Sequence, residues 1–408
     1  MTNKGAAWLV VGLLVVPIQA LLSSGAPSAQ SPLTDFYKAG PIRLDPDPDF
    51  GKGTEWNLLF FNPFCDLAVA PDGSLFIAGS REHKVFKFDA RGNLVKSFGQ
   101  KGQGPGDFNS PGDLSVLDGK YLVVGEYPLA NRISLFELDG KFDRILTTRR
   151  SVYRPVALRE GKVAYLSYAH TGNGSAGTKR IESAVIRRID GPNEIVVAEH
   201  TFNMSAVMLG QNFSFSFGGG TTGGTYIAAT KEGNLVLGNS LETYLEIYSP
   251  EGIKLSTVDL GLEPIPVTKD YIKRYKGHVI GQMRQDARYA QGQMKEFLKQ
   301  LENASVDHLF ANNLPLYHEV LVDAEGNILV FRKTECLGDC PILIRVYSPD
   351  GRFLCETEIQ EGSFGLTVDP RQKSMVFGPD GLIAMVEVKD AAEFELRVIR
   401  VNYASSSR

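Results

Sequence analysis

A two-residue turn recurs along this chain, a polar residue followed by glycine, set between two apolar runs. It stands at Asp72-Gly73, Asp118-Gly119, Glu160-Gly161, Glu232-Gly233, Glu325-Gly326 and Asp380-Gly381. A second series stands at Arg91-Gly92, Asp139-Gly140, Asp190-Gly191, Glu251-Gly252 and Asp350-Gly351. Such turns need a residue that tolerates positive φ, and glycine does so without steric cost. The runs between them alternate and are rich in aromatic and β-branched residues: Leu75, Phe76 and Ile77, then Val85, Phe86 and Phe88, then Leu94, Val95 and Phe98. A period of two means strand. Each unit is therefore a four-stranded antiparallel meander, returning at intervals of about 40 residues or more. One small sheet with two apolar faces cannot bury both by itself. Six in a ring bury them for one another and leave no open end, so the expected fold is all-β, a six-bladed β-propeller. At 408 residues the chain exceeds a usual single core, but a ring spreads its core over many interfaces. A net charge of −4 gives no reason to expect nucleic acid, which needs a concentrated basic face.

The ends depart from the repeat. Residues 1–29 carry Lys4, an apolar segment over 6–22 that includes Pro17, and small residues over 23–29. That is the pattern of a secretory signal peptide, which makes the protein exported, to periplasm or medium, with no membrane span in the mature chain. An uncleaved anchor is the competing reading, although the apolar run is short for a span. Residues 30–403 read as one propeller domain and 404–408 as a polar tail. The last unit, from Met375 to Tyr403, lacks a convincing fourth strand. Short strand candidates, Pro41–Leu44 and Trp56–Phe61, stand on either side of the stiff Asp45-Pro46-Asp47-Pro48, and the expectation is that this N-terminal segment supplies the missing strand in the sixth blade.

Three stretches elaborate the repeat. The connection over 168–180 is long and glycine-rich, and 204–224 holds Phe213, Phe215 and Phe217 in alternation, which suits an extra hairpin. Residues 267–303, between the fourth and fifth units, form a helical insertion. Its apolar stripe is Ile272, Tyr275, Val279, Met283, Ala287, Ala290, Met294, Leu298 and Leu301, with Thr268 placed as the cap. Gly277, Gly281 and Gly292 favour a break into two helices. Lys269, Lys273, Arg284, Arg288 and Lys295 lie on its polar side, either simply solvated or facing an acidic partner. Cys336 and Cys340 sit at a hairpin tip, where a local disulfide suits an exported protein; zinc would need further ligands, and no histidine is near in sequence. Cys65 and Cys355 are expected to stay apart and reduced.

The linker after the first unit reads Gly99-Gln100-Lys101-Gly102-Gln103-Gly104-Pro105-Gly106-Asp107-Phe108-Asn109-Ser110-Pro111, and the next unit contains Asn131-Arg132-Ile133. The linker lacks the Lys-Ser/Thr and following helix of a phosphate-binding loop. These residues resemble NHL repeats, whose blades are joined by Gly-Pro-Gly-x-Phe-x-x-Pro and open a strand with Asn-Arg-Ile. The likeness is specific over 65–148 and fades to turns and strands elsewhere. The whole chain resembles secreted bacterial six-bladed propellers of the NHL type.

In a propeller the innermost strands line the axis. Aligned on the first turns, they open at Asp66, Asp113, Pro155, Tyr226, Glu319 and Ser374, with Cys65, Arg154 and His318 just before three of them. The candidate ligand site at the axial mouth is therefore Asp66, Asp113, Arg154, Tyr226, His318 and Glu319. Asp66, Asp113 and Glu319 are the candidate metal ligands, for Ca²⁺, which takes several oxygens; the plainer reading leaves them in water. Six-bladed calcium-dependent lactonases and esterases hold their metal with a Glu–Asn–Asn–Asp set, and that set cannot be placed in this chain. There is no Gly-x-Ser-x-Gly elbow and no His-Glu-x-x-His, and the six histidines are scattered. The expected function is non-enzymatic, a monomeric scaffold without a cofactor that binds a protein, peptide or glycan. The alternative is a Ca²⁺-dependent hydrolase or lyase working at the axis.

Overall fold

The computed structural model describes residues 32–56, 66–126, 130–171, 179–203, 206–209, 213–216, 219–285, 291–338, 340–360, 364–366, 375–388 and 396–403. The fold is a six-bladed β-propeller. Blades one to four are antiparallel meanders whose inner strands are Leu67–Val69, Pro111–Leu117, Tyr153–Ala157 and Thr225–Ala229. Blade five runs from Tyr317–Val322 outward to Phe353–Gln360. Blade six has Gly381–Val388 at its centre, Leu396–Asn402 on one edge, and both Met375–Phe377 and Phe364–Leu366 on the other.

Ring closure is visible in the core, which is divided by interface. Phe76, Val85 and Ala78 of blade one meet Phe108, Leu122 and Phe136 of blade two. Equivalent clusters join each later pair, and Ile383, Met385 and Val398 of blade six close onto Leu75, Ile77 and Phe88 of blade one. Fully burying one such side chain contributes about 1.5–3 kcal/mol, so each blade is held chiefly by its neighbours.

Nine of the eleven turn glycines have positive φ, as their sequence requires; Gly191 and Gly381 do not. Asp118 and Gly119 have φ of 52° and 61°, and Glu160 and Gly161 have 58° and 66°, the paired positive values of a tight two-residue hairpin. At Gly233 (φ 77°) a Cβ would lie 2.6 Å from the Arg159 amide nitrogen, so the turn of blade four nests on blade three only without a side chain.

The N-terminal segment closes the ring differently from the expectation. Ile42–Arg43 pairs in parallel with Ile359 and Gln360, on the outer edge of blade five rather than in blade six. The chain then crosses blade six, where the Asp47 amide donates to the Arg400 carbonyl and the Arg400 guanidinium binds the Asp47 carboxylate at 2.5 Å. Phe50 and Trp56 finish in the interface between blades six and one. Leu33, Phe36 and Tyr37 anchor its start against blades five and six, with Tyr37 donating to buried Asp323. One strap therefore spans three blades. Blade six is three strands deep, with two short strands sharing its inner edge, and on its outer edge the strap contributes the Asp47–Arg400 contacts rather than a paired strand. The expected strand over Trp56–Phe61, apart from Trp56, lies outside the described residues, as do Cys65, Ser374, the segment 1–31 and the tail.

The helical insertion stands between blades four and five as two helices, Lys269–Gln285 and Gly292–Asn303. The Thr268 hydroxyl accepts the Tyr271 amide at 3.1 Å, the capping bond its position implied. The extra hairpin is also present, pairing Ala206–Leu209 with Phe213–Ser216. The connection after Tyr168 is shorter than its composition suggested, because the two strands run on as Lys162–Thr171 and Lys179–Arg188.

Candidate functional site at the hub mouth

In an antiparallel meander successive connections alternate between the two ends of the strands. All the Gly turns therefore lie on one face of the ring, and every longer connection lies on the other, where the inner strands begin. The two faces differ accordingly: one is a rim of tight turns on which the N-terminal strap packs, the other carries the insertion and the hairpin.

The inner strands of blades two, three and five open with an irregularity. Between Pro111 and Asp113, Tyr153 and Val156, and Tyr317 and Glu319 the pairing register slips, leaving Gly112, Arg154-Pro155 and His318 out of the ladder. Bulges of this kind re-aim side chains and gather beside binding sites. Arg154 has φ 51°, a left-handed conformation uncommon for a residue with a side chain.

Arg154 is 4% exposed, and its Nη2 pairs with Glu319 Oε2, 165 residues away on blade five. The guanidinium lies over the rings of Tyr226 and Tyr153, 5.4 and 5.9 Å from their centroids. The pair thus ties the inner strands of blades three and five across the inner strand of blade four. Burial opposes the charge on Arg154, but Glu319 and the two tyrosines outweigh it and hold the guanidinium protonated more firmly than usual. Burial likewise raises the Tyr153 and Tyr226 hydroxyls well above their ordinary pKa, so both are neutral donors. His318 is pushed down to about 4 by burial and by the nearby Lys333 and Arg154 cations, and is neutral at pH 7. Burial brings Lys333 down to about 8.

The structure thus brings Arg154, Tyr226, Glu319 and His318 together. Asp113 joins them through the backbone, its Oδ2 accepting the Arg154 amide at 3.2 Å. Asp66 does different work. Its Oδ1 accepts the Leu67 amide and its Oδ2 the Leu114 amide of the next blade, at 2.8 and 2.7 Å. Glu182 does the same between blades three and four, accepting the Thr225 amide at 2.6 Å. Asp66 and Asp113 are inter-blade clamps, and Glu319 also accepts the Val320 amide. The three acids proposed for Ca²⁺ are therefore not gathered into one cluster, and among the described residues no three His, Cys, Asp or Glu side chains group closely enough to hold a metal. Sequence reasoning missed Tyr153, Lys333 and Glu182. Tyr153 and Lys333 flank elements already chosen, while Glu182 sits on a third strand, where an axial alignment does not look.

The long connections build a cap beside this cluster. Tyr271, Ile272, Phe297, Leu301, Leu309 and Phe310 form a core belonging to the insertion itself. The insertion is tied to the blade three–four connection by the Thr221 hydroxyl on the Leu309 carbonyl and the Ala311 amide on the Thr221 carbonyl, both 2.9 Å. Both connections then lead into the hub, at Thr225 and Tyr317. Cys336 and Cys340, in the adjacent loop of blade five, are joined by a disulfide with Cα atoms 5.8 Å apart. Cys355 is a half-buried free thiol.

No protein-family model matches the sequence, and no curated protein does. Solved structures similar to this chain include a member of the duf4221 family from Bacteroides vulgatus (9% identity, 83% of this chain and 92% of that one, TM-score 0.46). A gluconolactonase from Xanthomonas campestris (10%, 83% and 86%, 0.41) and virginiamycin B lyase from Staphylococcus aureus (10%, 84% and 87%, 0.36) are others. At these levels none bears on what this chain does, and the blade count rests on the six blade sheets of this structure, the two-stranded hairpin apart.

Proposed function

We propose that this protein is an exported propeller of the NHL type that binds a protein, peptide or glycan through the face carrying the cap and the hub mouth. The asymmetry of the two faces carries this reading: the turn face holds tight hairpins and the strap that packs on them, where the Gly51 amide donates to the Arg91 carbonyl and the Thr54 hydroxyl to the Gly92 carbonyl, whereas the other combines long connections with a buried arginine–tyrosine–glutamate cluster. Loops on a rigid scaffold are where proteins place recognition. Export is supported by the leader pattern over 1–29 and by the local disulfide, which suits an oxidising compartment. The NHL reading is supported by what its motif does here. Phe108 is fully buried between blades one and two, and Arg132 reaches back to the Gln103 and Asp107 carbonyls at 2.9 and 3.0 Å while pairing with Glu126.

Glycan and peptide arrays probed with the labelled mature chain test the proposal. A defined set of features should bind. Charge reversal of exposed cap residues Lys273 and Lys295 should weaken it, and reversal of Lys231, on the turn face, should leave it intact. No bound feature on either array, or loss caused by the Lys231 change alone, would overturn it.

A further inference from the structure

The disulfide sits where it can govern the cap. Leu337, inside the loop that it closes, is half-buried and packs into the insertion's own core. Gly338 (φ 92°) brings the loop backbone against the helix Lys269–Gln285, so that a Cβ there would stand 3.5 Å from His278 Cε1. Glu335, just before the loop, is within electrostatic reach of Tyr271 in the same core. The loop is thus a finger from blade five inserted into the cap, and the bond fixes its shape. Cys336 is exposed and Cys340 half-buried, so an external thiol can approach the first sulfur. The cysteines are only 4 residues apart, and so short a closure constrains little of the unfolded chain, which leaves the bond weakly protected by the fold.

We propose that Cys336–Cys340 is a thiol-exchange site, opened by a dithiol reductant, that latches the helical cap onto blade five. A thiolate of the reductant attacks Cys336 Sγ, the protein disulfide breaks, and the electron pair leaves on Cys340 Sγ. The second thiolate of the reductant then displaces Cys336 from the mixed disulfide. The protein gains two electrons and, from water, two protons; the dithiol leaves as its own disulfide. Freed from the ring, the loop no longer holds Leu337 in place, and the cap loses one of its attachments while keeping those at Thr221. This inference concerns the cap alone and does not depend on what the face binds.

Hydrogen–deuterium exchange on the full mature chain decides it, with dithiothreitol as the probe and peptide mapping of alkylated Cys336 and Cys340 as the readout of opening. Under native conditions both thiols should become alkylated. Exchange in 269–285 and 292–303 should then quicken about tenfold, with blades one and two unchanged, as expected for loss of one local restraint. The Cys336→Ser/Cys340→Ser variant should show the same fast cap without reductant. The proposal fails if the bond resists dithiothreitol in the native protein, or if the helices exchange equally in the oxidised, reduced and serine forms.

Discussion

Replacing Glu319 with alanine strips the buried Arg154 of its counter-charge. The guanidinium is 4% exposed and bridges two blades that do not adjoin, so water cannot readily take the place of the carboxylate. Removing one partner of a buried pair costs about 3–5 kcal/mol, most of it the penalty of an uncompensated charge. The rings of Tyr153 and Tyr226 temper this, since a desolvated cation over an aromatic face retains about 2 kcal/mol. With an unfolding entropy of about 2.1 cal/mol/K per residue over the 322 described residues, that cost lowers Tm by about 4–7 °C. The informative companion is Arg154→Met/Glu319→Leu, which removes both charges and should recover to within about 2 kcal/mol of the parent. Calorimetry at pH 7 on the parent, the single and the double variant gives the comparison. A single variant within about 1 kcal/mol of the parent, or a double variant worse than the single, would refute the idea that the pair is a buried and mutually dependent unit.

Three further outcomes follow from the same geometry. His318 is held at about 4 in the fold against an ordinary 6.5, so the unfolded chain binds a proton that the folded chain refuses; its stabilising contribution is complete above pH 6.5 and lost as pH falls toward 4, at most about 3 kcal/mol, and His318→Gln should flatten the Tm-versus-pH curve across that window. Trp56 is 7% exposed and packs on Phe50 and Phe88, so Trp56→Ala should cost about 3–5 kcal/mol in chemical denaturation, and an effect under about 1 kcal/mol would deny the strap its role in closing the ring. Because Asp66 and Asp113 are committed to backbone amides, titration with Ca²⁺ should give no heat and no change in Tm; a Tm rise abolished by Asp66→Ala would restore the cation reading.

The ring was legible in the sequence because its punctuation is chemical: a positive φ is cheap only for glycine, and the Gly turns mark the blades whatever fills the strands. The insertion was legible for a similar reason, since Thr268 and a stripe at helical spacing follow rules that need no partner, although the structure buries Tyr271, Ile280 and Phe297 beside Ile272, Leu298 and Leu301 rather than Val279, and Ala287 and Ala290 lie outside the described residues. The strap was not. Ile42–Arg43 contributes two residues to a parallel pairing, and nothing in so short a run says which of two neighbouring edges it joins. The hub was half legible. Alignment on the turns placed Arg154, Tyr226, His318 and Glu319 at one opening. Spacing could not tell that Asp66 and Asp113 would turn to the next blade's amides, because that choice is made by the angle between blades, a property of the assembled ring. Nor could it pair Arg154 with Glu319, which meet only when blades three, four and five stand side by side.

The proposed function turns on whether the cap side of the ring, and not the turn side, meets the ligand. Photo-cross-linking amino acids placed singly at exposed positions on each face, Gln293 and Glu335 on the cap side and Lys231 and Asp350 on the turn side, would test it in the producing cells. Discrete adducts from Gln293 and Glu335 alone are the expected result. Adducts from Lys231 or Asp350 alone, or from all four positions equally, would contradict it.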